Sequence, residues 1–386
     1  MKILEISSCF PPSRGGVEKC VYELSTRFAK SGHEVIVTTS TRGKNAKTHL
    51  EKLEDIIILR FAEKFHLFEA PLIPQIALTA LTEDYDVLHV HGMCPSITDL
   101  SVLFAKMRGK PVVLTYHNDA ESGEFRGLSK LAAFVYSSLA SLIVRLSNVV
   151  VSSTMSYAET SAALRFSLDK IKVIPMGVDT RKYDAFDLSR NSNLERTLLF
   201  VGQLKYYKGV NVLLDAVHHL RSRGHLLKVN IVGEGPAFES LKEKAKALGV
   251  EEDVRFLGNV SDEELLQLYA TCDSLVLPSL NRREAFGIVL LEAMAAGGSI
   301  VASDIPGVNE VALKGHGFLA KPNDPYSLAN SILDSLQNRR RSDDMRRVAE
   351  DHSWDKLAEK YASIFEDITK NDVPNGGNHE QIALSK

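Results

Sequence analysis

Short apolar runs separated by polar or helix-forming stretches recur along the whole chain. In the first half Ile3–Ser8, His33–Thr39, Asp55–Phe61, Asp86–Gly92, Pro111–Asp119, Asn148–Ser153 and Lys172–Asp179 read as strands. Their Val/Ile/Leu content is close to continuous, as expected for strands buried on both faces of a sheet. The helical period between them predicts a first helix over about Val17–Ser31. A polar run from Asp184 to Arg196 interrupts the pattern and reads as a linker. Strands then resume at Thr197–Gly202, Lys228–Val232, Val254–Leu257, Ser274–Leu277 and Ser299–Ser303. Strands alternating with helices on both sides of a linker predict an α/β protein in two halves. The expected units are residues 1–183, residues 194–352, a last helix over 353–369 and a tail over 370–386. The tail is rich in Asn and Gly and is expected to be disordered.

Open α/β sheets hold ligands at the carboxyl ends of their strands, so polar residues there are candidates for chemistry. The strand Ser274–Leu277 leads through a polar loop to Glu284, Phe286 and Gly287, then into an Ala/Leu/Met-rich helix carrying Glu292 and stopping at Gly297–Gly298. If residues 284 to 292 were all helical, the two glutamates would stand about 12 Å apart. That exceeds the roughly 5–9.5 Å at which two carboxylates act on one glycosidic bond. They would therefore hold different parts of one extended ligand, with a phosphate at the helix N-terminus between them.

Other strand ends carry further candidates. Gly15–Gly16 follow the first strand and let a bulky anion approach the backbone. His89 reads as a packing residue, and His91 stands open between packing and ligand contact. His117, followed by Asn118 and Asp119 in a polar loop, reads as a ligand contact. After Thr197–Gly202 come Gln203, Lys205 and Lys208–Gly209, a set suited to a diphosphate. Gly233 and Glu234 follow the next strand.

Composition narrows the class. With 386 residues, 44% of them hydrophobic and 25% charged, the chain has ample length for large cores. A net charge of −3 offers no general attraction to nucleic acid. Cys9, Cys20, Cys94 and Cys272 lack metal-ligand spacing and fit free thiols of a cytoplasmic protein. The start, Met1 to Ile6, reads as a strand rather than a secretory signal. Leu131–Val144 carries no charge but falls short of the roughly 20 residues of a membrane span. It reads as a core helix, or as an interfacial helix flanked by Arg126, Lys130 and Arg145.

Pro278–Ser279, Glu284, Phe286–Gly287 and Glu292–Ala293, in this spacing, resemble the donor site of retaining glycosyltransferases of the GT-B fold, family 4. The resemblance extends through Ile174–Asp179, Lys208–Gly209, Gly233–Pro236 and Gly315–Leu319, so it covers nearly the whole chain. It implies two Rossmann-like domains facing across a cleft, with the last helix crossing back to the first domain. The reaction implied is transfer of a hexose from a nucleotide-diphosphate sugar to a glycan or lipid-linked acceptor, with no metal or other cofactor. On this resemblance Glu292 meets the ribose, Glu284 the sugar hydroxyls, and Lys208 with Gly15–Gly16 the diphosphate. His117 lies at the transferred sugar, Gly233 and Glu234 near the nucleotide. The family arginine after Val-Gly is Gln203 here, and Lys205 is its expected substitute. Asp84-Tyr85-Asp86 spells the metal motif of the other main glycosyltransferase fold, yet it precedes a strand and reads as structural. A GT-B-like epimerase and a non-catalytic sugar-nucleotide-binding subunit are the alternatives; inner-face membrane association through 126–145 is the alternative to a core helix there, implied by a lipid-linked acceptor.

Overall fold

The computed structural model describes residues 1–371 apart from 14, 42–45, 64–65, 68–69, 93, 95, 120–128, 185–195 and 339–341. The expected disordered tail, from residue 372 on, and most of the linker therefore lie outside the described residues, as does part of the 126–145 segment.

The first half forms an eight-stranded sheet from β1 (Lys2–Ser7), β2 (Glu34–Thr41), β3 (His49–Leu53), β4 (Ile56–Ala62), β7 (Val87–His91), β8 (Val112–Tyr116), β9 (Val149–Ser152) and β10 (Ile171–Val173). A two-stranded pair, β5 (His66–Leu67) and β6 (Ala70–Pro71), stands outside it. The order is β10-β9-β8-β7-β1-β2-β4-β3, parallel throughout except where β3 runs antiparallel to β4. The second half forms a six-stranded parallel sheet from β11 (Arg196–Val201), β12 (Leu227–Val232), β13 (Val254–Gly258), β14 (Ser274–Leu277), β15 (Ser299–Ser303) and β16 (Phe318–Ala320). Its order, β13-β12-β11-β14-β15-β16, is the doubly wound 3-2-1-4-5-6 arrangement, with the direction of winding reversing between β11 and β14.

Buried apolar strands explain both sheets. β7, β8 and β14 are buried at every position, which requires helices on both faces. The helix Trp354–Asn371 then crosses back. Phe365 packs edge-on against Phe28 of the helix Gly16–Lys30, ring centres 5.3 Å apart, and Arg27 pairs with Asp355 at 2.5 Å. The Asp84–Asp86 segment is structural, as expected: Asp84 takes the Lys2 ammonium at 2.6 Å and Asp86 the Lys2 backbone N–H at 2.7 Å. No helix among the described residues is long and apolar enough to cross a membrane.

Two boundaries differ from expectation. β3 carried no pattern because its side chains are mostly exposed, so neither burial nor alternation marks it. The helix after Glu284 begins only at Ile288 and ends at Ala295, because Gly287 sits before it in a left-handed conformation, φ 79°. Glu284 thus lies in the loop and Glu292 in the helix.

Candidate functional site

In a doubly wound sheet the crevice at the reversal point is where a ligand fits, and here the loops after β11 and β14 flank it. The first loop turns through Tyr206–Lys208 and stops at Gly209, φ 71°. A Cβ at Gly209 would lie 1.9 Å from the carbonyl oxygen of Pro278, so only glycine lets the two loops touch. The Leu280 N–H bonds the Tyr207 carbonyl at 2.7 Å and seals the contact. This docking brings Lys208 Nζ to 2.5 Å from Glu284 Oε2, which also accepts from the Ser279 hydroxyl at 3.4 Å. Burial works against the Lys208 charge, but Glu284 together with Tyr207 raises its pKa on balance, so the ammonium is kept.

Gln203 is exposed and Lys205 half-buried beside Lys208. Gly233 and Glu234 belong to the same wall, since the Leu204 N–H bonds the Glu234 carbonyl at 2.9 Å; the Glu234 side chain is exposed. Phe286, expected at the donor, is instead a core residue, 5% exposed, because its ring packs in the apolar core beneath the loop's polar residues.

Glu292 makes the contact that sequence reasoning missed. Its Oε1 receives Lys19 Nζ at 2.6 Å and its Oε2 the Tyr269 hydroxyl at 2.6 Å. Lys19 lies in the first turn of the helix Gly16–Lys30, immediately after Gly15–Gly16, so this ion pair spans the two domains. Burial pulls the Lys19 pKa down, but Glu292, with smaller help from Glu23 and Asp262, makes the net shift upward. A signal existed: a lysine in a first helical turn and a glutamate in a last one both oppose the helix dipole, and each calls for a partner. Arg282 was missed as well. It pairs with Asp119 at 3.2 Å, donates to the Thr160 carbonyl at 2.7 Å and covers the Tyr157 ring at 4.6 Å. A third bridge runs from the Ser156 hydroxyl to Glu310 at 3.0 Å.

On the first-domain side His117 follows β8, half-buried, its Nε2 3.3 Å from Nδ1 of His91. His91 and His89 are both buried and share Glu5, at 2.8 and 3.0 Å. Burial would raise the Glu5 pKa, yet His89 and then His91 hold it down at about 2. Burial, with His89, lowers His91 to about 4 against the pull of Glu5, and burial lowers His117 well below the usual imidazole value.

Two parallel α/β domains with a crossover helix returning to the first define a GT-B fold, and a largely enclosed lysine–glutamate pair stands at its reversal point. Residues 14–182 match the family described as Glycosyltransferase Family 4, and residues 185–352 the family described as Glycosyl transferases group 1. The chain belongs to these glycosyltransferases. It is 29% identical to an O-antigen chain mannosyltransferase C of Escherichia coli, over 95% of this chain and 98% of that protein. It is 34% identical to the D-rhamnosyltransferase WbpZ of Pseudomonas aeruginosa, over 70% and 69%. Among solved structures it superimposes on Anabaena Alr3699/HepE in complex with UDP and glucose with a TM-score of 0.73 at 19% identity, covering 95% of this chain and all, 100%, of that one.

Proposed function

We propose that this glycosyltransferase moves a hexose, with retention of anomeric configuration and without a metal, from a nucleotide-diphosphate sugar to a glycan or lipid-linked acceptor in cell-surface polysaccharide or glycolipid synthesis. The observation that carries this reading is the Lys208–Glu284 pair at the reversal point of the second sheet, 2.5 Å long. When the bond from the anomeric carbon to the diphosphate oxygen breaks, negative charge grows on the leaving group. Lys208 and the free N–H groups at the start of the helix Ile288–Ala295 offer fixed positive potential there, the role a metal plays elsewhere. Glu284 then holds sugar hydroxyls, and the acceptor oxygen attacks from the face the diphosphate leaves, passing its proton to a departing phosphate oxygen. Glu292 takes the ribose, which requires Lys19 to let go; Lys19 then turns to the diphosphate and joins Lys205 in making up for the cation absent at Gln203. The mannosyl- and rhamnosyltransferase relatives support a hexose donor, and the O-antigen relative a glycan acceptor. The alternative of attachment to the inner membrane face through 126–145 draws on Arg126, Lys130 and Arg145 around a charge-free stretch, although Ala140, Ile143 and Val144 of that stretch pack into the first-domain core.

The test is turnover of the purified protein against UDP-, GDP- and ADP-hexoses with excess chelator, followed by NMR of the product's anomeric proton. Undiminished transfer with the donor's configuration is expected. Activity lost to chelator and restored by a divalent cation, or an inverted product, overturns the reading.

A further inference from the structure

Behind His117 a chain of hydrogen bonds runs back to the crossover helix. The His117 and His91 rings lie within 16° of parallel with centres 5.6 Å apart, the greatest separation that 3.3 Å between Nε2 and Nδ1 plus two ring radii allows. The rings are therefore nearly coplanar and end to end, the arrangement of an N–H···N hydrogen bond. The Cys20 thiol also comes within 4.8 Å of this pair, but two nitrogens aimed at each other do not converge on an ion. From His91 the chain continues through Nε2 to Glu5 at 2.8 Å, and from Glu5 to His89 Nδ1 at 3.0 Å. His89 Nε2 meets the Thr115 hydroxyl at 2.8 Å, and that hydroxyl meets Tyr361 of the crossover helix at 3.0 Å.

Donor and acceptor rules fix the direction of the part nearest the cleft. An ionised carboxylate only accepts, so His91 donates from Nε2. A neutral imidazole then has its lone pair on Nδ1, and His117 donates to it from Nε2. The remaining nitrogen of His117, Nδ1, is left as an acceptor. We infer that Glu5 and His91 are positioning residues that hold His117 in its Nε2–H tautomer, so that Nδ1 accepts a hydrogen bond from a hydroxyl of the transferred sugar. The inference rests on the reading above that His117 lies at that sugar. Burial of both rings supports the neutral forms, since it lowers both pKa values. A neutral acceptor selects a hydroxyl, whereas an imidazolium would be drawn to the diphosphate. The subsite thereby prefers a hexose bearing that hydroxyl to its deoxy analogue.

The test begins with the ligand-free wild type, labelled with 15N-histidine, whose ring resonances report the tautomer. His117 is expected to show a protonated Nε2 and a bare Nδ1 at neutral pH, and the opposite tautomer overturns the inference. His91→Asn places an amide oxygen near the lost Nδ1 and is expected to keep the tautomer and most of kcat. His91→Leu removes the acceptor and is expected to lower kcat about tenfold, with nucleoside-diphosphate affinity unchanged. Equal losses in the two variants overturn the inference. If the leucine variant does not fold, the wild-type spectrum and the asparagine variant decide. A wild type that binds no nucleoside diphosphate would instead strike at the proposed function, since the spectrum needs no ligand.

Discussion

Lys208 and Glu284 are the residues whose chemistry follows most directly from their surroundings. Their side chains are 16% and 13% exposed, so each charge depends on the other. Lys208→Ala removes the cation facing the leaving diphosphate and is expected to lower kcat about 100- to 1,000-fold, the scale of a lost preorganised donor. The thermal midpoint should fall by only a few degrees, because Glu284 can protonate or take up water once its partner is gone. Kinetics and a melting curve on the same sample check both halves; comparable losses in each would reduce Lys208 to a structural role. Lys208 and Lys19 both carry raised pKa values, so the stability from their pairs is complete below 10.5 and fades as pH rises through the higher folded values. Melting temperatures followed through that alkaline range should drop more steeply for the wild type than for Lys19→Met. Lys208, Glu284 and Glu292 were singled out in the sequence by the motifs that carry the family resemblance. Lys19 was not, since its partner lies 273 residues away and only the fold brings them together.

At the scale of elements, most strands were legible because double-sided burial writes itself as an unbroken apolar run. What escaped were the exposed strand β3 and a place where glycine, rather than hydrophobicity, decides. A helix drawn from Glu284 to Glu292 would carry Gly287, a poor helix former, in its interior; at φ 79° that residue sets the start of the helix after it, and a Cβ there would lie 2.6 Å from Leu277 Cδ2. Glu284 is thereby released into a loop, where it can reach Lys208. Gly209 makes the opposing loop fit in the same way. Gly209→Ala should push the Lys208 loop away from Pro278 and cost about 1–3 kcal/mol from the left-handed backbone alone. The expected outcome is a lower thermal midpoint together with a loss of kcat approaching that of Lys208→Ala, although no charge has changed. An alanine variant with wild-type kcat would show that the loop contact does not set the position of Lys208.

For the whole molecule, polar bridges among the described residues cross the cleft, among them Lys19–Glu292, Arg282–Asp119 and Ser156–Glu310, while the crossover helix ties the far side through Phe28 and Phe365. None of the bridges was visible in sequence, because pairing between domains leaves no local period. Of the three, only Lys19–Glu292 occupies a residue that the proposed donor needs, so it can sense the ligand. If Lys19 merely blocked Glu292, removing it would tighten donor binding. If it transfers to the diphosphate, as the missing cation at Gln203 argues, removing it should weaken binding. Lys19→Ala is therefore expected to raise donor KM about ten- to a hundredfold, the worth of a hydrogen bond to a charged group. Gln203→Arg added to that variant should recover part of the loss by restoring a cation to the second domain. Donor KM and the affinity for the bare nucleoside diphosphate, measured for the wild type, the single and the double variant, separate the two roles. An unchanged or lower KM in Lys19→Ala would leave the ion pair as a latch that only holds the domains together.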